Sequence, residues 1–230
     1  MKNVNMLNSQ IKNIFIESWD IYKRNISSIT QMMFIFLGIL VFGIYVLSQL
    51  FSFNEIDQAL QLNNSANYSM IFFIAFYLFI TGLHLGATKI ALLLNNNKNI
   101  NTKMLFSSFH FLIIYFLGQI LISLPLITLE LLLNTNLFIL RIIISLLASF
   151  YPFIIIDQKI KNPILGLRKS FIMSIQNLNL VIPIYFILLI ANILLGGLTL
   201  FLGLIVSLPF SLLCYTKLYI LLLKKTKFVK

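Results

Sequence analysis

Six almost unbroken apolar runs constrain this chain more than any other feature: Ile29–Phe51, Met70–Leu94, Phe109–Leu133, Leu137–Ile156, Leu180–Gly196 and Thr199–Leu223. Each holds between 17 and 25 residues. That is the length of helix that crosses a hydrocarbon layer roughly 30 Å thick. A lipid-exposed segment must satisfy its own backbone N–H and C=O groups, which leaves helices or a closed barrel. Barrel strands alternate apolar and polar residues over about ten positions, and runs such as "MIFFIAFYLFI" do not. The fold class that follows is all-α: an integral membrane bundle of six transmembrane helices. Composition excludes a water-soluble fold, since 10% of residues are charged where soluble domains average about 25%. Residues 1–230 read as one membrane domain: a polar segment over 1–28, three hairpins of spans over 29–223, and a basic tail over 224–230.

Orientation follows from the basic residues, which are retained on the cytoplasmic side of short loops. With the N-terminus inside, sixteen of the 17 lysines and arginines fall at inner ends; Arg141 is the exception. The first outer loop, Ser52–Ser69, carries Glu55 and Asp57 and no cation, and "NTN" at 134–136 is an uncharged turn. Both termini are therefore expected on the cytoplasmic side, with the first span acting as an uncleaved insertion signal. The Gly196–Thr199 turn is also compatible with a re-entrant pair. A net charge of +11 would suggest nucleic acid in a soluble protein. Here the cations cluster at span ends, so the expected partner is the anionic headgroup surface, with no nucleic acid.

Two inner segments read as amphipathic helices lying in the interface, with a third lead-in as a weaker candidate. Ile11, Ile14, Phe15, Trp19 and Tyr22 share one helical face, with Lys23 and Arg24 opposite. In "NPILGLRKSFIMSIQN", Asn162 can cap, Pro163 suits the first turn, and Ile164, Leu167, Phe171 and Ile175 fall at helical spacing. Lys23, Arg24, Arg168 and Lys169 are then expected to meet water and lipid phosphate. "SWDIYKRNI" from Ser18 and "SFIMSIQNL" from Ser170 share a serine, an aromatic, and an asparagine seven positions on. "MLFSSFHF" from Met104 is a third lead-in without the asparagine. Three units are suggested, each a lead-in followed by a helical hairpin.

Catalytic chemistry is poorly represented. His84 and His110 lack a third ligand at metal-binding spacing, Cys214 is a lone thiol, and Glu17/Asp20 and Glu55/Asp57 sit on polar segments. No cofactor and no enzyme activity are expected. Glu130 and Arg141 are almost equidistant from Thr135, so an antiparallel hairpin brings them level; a structural pair is favoured over a functional one. Gln119 and Asn192 sit deeper, where interhelical hydrogen bonding is the usual role. Gly82 and Gly86 suit close helix contact, and Pro125, Pro152, Pro183 and Pro209 suit kinks. The reading is a structural, lipid-associated or accessory membrane component. The alternative is a small transporter, or transporter subunit, lined by Glu130, Arg141, Gln119 and Asn192.

"GLHLGATKIALLL", "MLFSSF", "FYPFIIIDQ", "LGLRKSF…QN" and "LGLIVSLPFSLLCYTKLY" resemble multi-pass bacterial membrane proteins of the YciC type. They also resemble the related membrane domain attached to some glycerophosphodiester phosphodiesterases. The resemblance spans most of the chain after Met70 and implies a six-helix inner-membrane protein. It brings no catalytic or ligand residue, and the seven residues after the last span are too few for that hydrolase domain.

Overall fold

A computed structural model describes residues 2–59, 65–199 and 202–226, with side chains over 6–49, 70–199 and 202–226. The side chains of Lys2, Glu55, Asp57 and Asn67, and all of Asn63, Lys227 and Lys230, lie outside it. The described helices are α1 (Lys2–Arg24), α2 (Ile26–Ala59), α3 (Ser65–Asn95), α4 (Leu112–Leu133), α5 (Phe138–Leu147), α6 (Tyr151–Asp157), α7 (Pro163–Gln176), α8 (Leu178–Leu198) and α9 (Leu204–Lys225). Two 3-10 turns, Thr102–Phe106 and Phe109–Phe111, precede α4. No strand occurs among the described residues. Six stretches are long and apolar enough to cross a bilayer, in agreement with the six runs.

Several boundaries differ from expectation. The first outer loop is largely helical, because α2 continues through "SFNEIDQA" to Ala59 and α3 starts at Ser65. Nothing in that stretch breaks a helix, and polar residues continue one once it has left lipid. The last two runs form helices of 21 and 22 residues rather than a re-entrant pair. They run antiparallel, joined by Asn177–Thr226 (3.2 Å) near one end and Asn192–Ser211 (3.1 Å) higher up.

The first and third lead-ins share structural features. Asn25 and Asn177 occupy the same place, the joint between a lead-in helix and a span, and each side-chain amide donates to the carbonyl four residues back, at 2.9 Å. Ser18 and Ser170 are both fully buried. The lead-ins dock in a ring: the Thr102–Phe106 turn on α3, α7 on α5 and α6, and α1 on α9. Each therefore leans on the second span of the preceding unit. Those second spans form the centre, with α3 packing on both α6 and α9 and Tyr219 of α9 stacked on Phe153 of α6 at 5.6 Å. Buried shares agree: 28%, 50% and 44% for the second spans against 17%, 11% and 22% for the first. The first spans α2, α4 and α8 accordingly present large apolar side chains outward, as at Phe34, Leu131 and Ile193.

The fourth run is one span in two helices, broken at Ala148–Phe150 just before Pro152. A broken helix inside lipid leaves carbonyls that water cannot reach. Here α7 supplies the donors: Ser170 and Ser174 both give their hydroxyls to the Leu147 carbonyl, at 2.9 and 3.1 Å. Tyr151, at the start of α6, donates to the Ile114 carbonyl of α4 at 2.6 Å. Its ring lies where a Cβ on Gly118 of α4 or Gly166 of α7 would clash. Those glycines let three helices close on one aromatic ring.

The buried face of α1 is largely the expected one, with Ile14 and Tyr22 buried and Ile11 and Phe15 packed on the core; that of α7 is not. In α1 the buried stripe is Ile14, Ser18, Ile21 and Tyr22, while Trp19 remains 43% exposed, edge-on to Phe210 of α9. In α7 the small face Gly166, Ser170, Met173 and Ser174 turns inward, and Ile164 and Ile175 are 63% and 55% exposed. A helix beside lipid gains nothing by hiding its aliphatic side chains. Small and hydroxyl-bearing residues at the contact allow close approach and interhelical hydrogen bonds.

Candidate functional site

Glu130 and Arg141 meet as the register predicts. Arg141 Nε donates to Glu130 Oε1 at 2.8 Å, and its Nη2 pairs with Oε2, a bidentate fork. The same Oε1 accepts the Leu137 N–H at 3.1 Å, at the start of α5. The Glu130 carbonyl takes the N–H of Asn134, which stands in the left-handed conformation at φ 47°, and of Thr135. Both carboxylate oxygens of Glu130 are thus used in closing the α4–α5 hairpin. That is a clamp, and it leaves no free carboxylate to carry a solute.

The four basic residues assigned to the lipid surface do not act alike. Lys23 pairs with Asp20 at 3.0 Å, and Arg24 Nε donates to the Asp20 carbonyl at 3.3 Å. Lys169 is half-buried: its Nζ donates to Gln158 Oε1 at 2.7 Å, Gln158 reaches the Tyr219 hydroxyl at 3.5 Å, and Tyr219 donates to Asp157 at 2.8 Å. This network ties α7 to the C-terminal end of α6 and to α9. It corrects the expectation that Lys169 points freely outward. Sequence reasoning passed over Asp157 and Tyr219, whose signal was only their place in "FIIIDQ" and "TKLY". Arg168 differs from the other three. It is exposed and has no hydrogen bond or ion pair with any described residue.

Arg168 also lines a crevice of about 820 Å³ between α4, α5 and α7, where it is the only charged side chain among the described residues. Its walls are apolar, from Leu121, Pro125 and Leu129 of α4 to Leu167, Phe171 and Ile175 of α7. The aliphatic stripe of α7 that reads as membrane-facing from its spacing therefore faces this crevice. The α1 pair is not brought to it, since α1 docks on α9 and α8.

A second cavity, about 330 Å³, lies between α2, α3 and α9. Its lining is apolar except for His84 of α3, Asn192 of α8, and Ser211 and Tyr215 of α9. Asn192 and Ser211 are mutually bonded, as expected for an interhelical pair. Gln119 is elsewhere, beside Tyr115 on α4. Of the four residues proposed to line a transport route, only Asn192 reaches this cavity. Among the described residues no three His, Cys, Asp or Glu side chains converge as metal ligands would.

The chain matches no family model, no curated protein and no solved structure. The likeness to YciC-type proteins accordingly rests on the quoted motifs alone.

Proposed function

We propose that this protein is a non-enzymatic, lipid-associated component of a bacterial cytoplasmic membrane, with both termini in the cytoplasm, that retains phosphate-bearing lipid on its inner face. The likeness to YciC-type membrane proteins is part of this proposal. The observation that carries it is Arg168: a guanidinium with no partner among the described residues, beside an apolar crevice that continues along three helices. Guanidinium and phosphate match as a planar donor fork and an anion, and the crevice offers an acyl chain continuous apolar contact. Lys169, held by Gln158, adds positive potential on the same helix, while Lys23 and Arg24 meet headgroups away from the crevice, on α1.

The test is lipid retention by the intact protein in mixed phosphatidylglycerol and phosphatidylcholine, read by native mass spectrometry. One cation near an anionic surface is worth about 1 kcal/mol, so Arg168→Gln is expected to weaken phosphatidylglycerol retention about fivefold. Unchanged retention, or equal loss of both lipids, refutes the assignment. A transporter is the second reading, favoured by the meeting of His84, Asn192 and Ser211 at one cavity. Substrate flux in proteoliposomes that falls with Asn192→Leu would establish it.

A further inference from the structure

The cavity between α2, α3 and α9 has the makings of a binding site distinct from the Arg168 crevice, and His84 is the reason. Its imidazole is exposed, makes no hydrogen bond with any described residue and lies 6.3 Å from the Tyr115 ring of α4; its backbone carbonyl takes the Thr88 hydroxyl at 2.9 Å. His84 lies eleven residues from the inner end of α3, about 16 Å at the helical rise. Water is scarce at that depth, and an unpaired polar group in hydrocarbon costs several kcal/mol. Asn192 and Ser211, on the same wall, bond only to each other. The Asn192 amide therefore keeps an unused N–H, and the Ser211 oxygen keeps acceptor capacity.

The rest of the lining decides what fits. Met32, Met33 and Phe36 of α2, Ala87 and Ala91 of α3 and Leu208 of α9 are apolar, and no charged side chain among the described residues lines the cavity. An anionic headgroup would be desolvated there without a partner. A polar solute would find too few hydrogen bonds. Thioethers adapt to irregular apolar shapes, and a volume near 330 Å³ is at the small end of ligand pockets, about 300–1,000 Å³. The cavity suits a compact head with the first part of a chain, the remainder lying in the bilayer.

We propose that this cavity binds a neutral lipid whose head carries carbonyl or hydroxyl oxygens, held between the His84 imidazole and the Asn192–Ser211 pair. The ligand enters sideways from the membrane, past α2. Binding supplies the hydrogen bond that His84 lacks.

The probe is a photo-crosslinkable, clickable diacylglycerol in proteoliposomes holding the intact protein, with an equally tagged phosphatidylglycerol beside it. Diacylglycerol crosslinks are expected on the Met32–Phe36 and Leu208–Leu212 segments. His84→Leu should reduce them about tenfold, the cost of leaving one polar group of the ligand unmatched. Ala87→Trp, which fills the cavity, should remove them, and Arg168→Gln should leave them unchanged. Diacylglycerol should also raise the melting temperature of the wild type and not of His84→Leu. In its absence His84→Leu should melt no lower than wild type, since it loses only an unpaired imidazole. Labelling undiminished in both His84→Leu and Ala87→Trp, or confined to the α4–α5–α7 crevice, overturns the proposal. Loss of phosphatidylglycerol labelling with Arg168→Gln reports on the other site alone.

Discussion

The broken fourth span can be tested by removing its two serine donors in turn. The Leu147 carbonyl accepts from both Ser170 and Ser174, while the Leu146 carbonyl is also bonded by the Ser149 N–H. Leu147 is thus the carbonyl that depends on α7, and it has two donors where one suffices. Ser170→Ala or Ser174→Ala alone removes one hydrogen bond and leaves the carbonyl satisfied. Side-chain hydrogen bonds between membrane helices average about 0.6 kcal/mol, so each single variant is expected to cost about that. The double variant leaves a buried carbonyl without a partner. That adds about 1–3 kcal/mol of desolvation penalty, and the two substitutions should be markedly non-additive. Reversible unfolding in mixed micelles, followed by helical circular dichroism, measures the cycle. A double variant whose cost equals the sum of the singles within about 0.5 kcal/mol would refute the shared-acceptor reading. So would singles each as costly as the pair.

Three further outcomes are expected. Gly86→Ala should destabilise by about 1–3 kcal/mol, because its Cβ would meet the Leu105 backbone; Gly38→Ala, with nothing nearby, should be neutral or stabilising by up to about 1 kcal/mol in the same unfolding assay. Glu130→Gln and Arg141→Gln should each lower the melting temperature, the double variant no further than either single, with phosphatidylglycerol retention unaffected. In a Cys214→Ser background, cysteines at Thr135 and Lys98 should react with impermeant maleimide from opposite sides of sealed vesicles; labelling from one side would overturn the orientation.

The six spans are legible because length and hydropathy alone decide whether a segment crosses lipid. The Glu130–Arg141 pair is legible because a hairpin through "NTN" has one register. The inward face of α7 is not, and that of α1 is legible except at Ser18, Ile21 and the exposed Trp19. In water the hydrophobic stripe of a helix marks its buried side, but against lipid an isoleucine is equally at home inside or out. Ser18, Gly166, Ser170 and Ser174 carried the signal, and they carried it as the small-residue pattern of helix contacts rather than as hydropathy. The break before Pro152 was visible only as a kink. That α7 completes it could not be read, because the donors lie more than twenty residues away in sequence. The unpaired state of His84 is likewise a property of what the fold fails to bring near it.

The ring of lead-ins bears on how the basic charge is used. Each lead-in is anchored on a second span, and at α1 the anchoring is partly ionic: Lys217 pairs with Glu17, and Lys225 donates to Gln10 at 3.2 Å. Lysines that a positive-inside reading would assign to headgroups are instead closing the ring between the third unit and the first. Such rim pairs contribute little to stability singly. They set how α1 lies along α9, and Trp19 on Phe210 fixes the apolar side of the same contact. Net positive charge therefore overstates how many cations lipid can reach. With Lys23, Lys169, Lys217 and Lys225 held by the protein's own side chains, a specific lipid contact must come from a cation the ring does not use. Among the four assigned to the lipid surface, Arg168 meets that condition, which is why its substitution, rather than a change in overall charge, is the discriminating one.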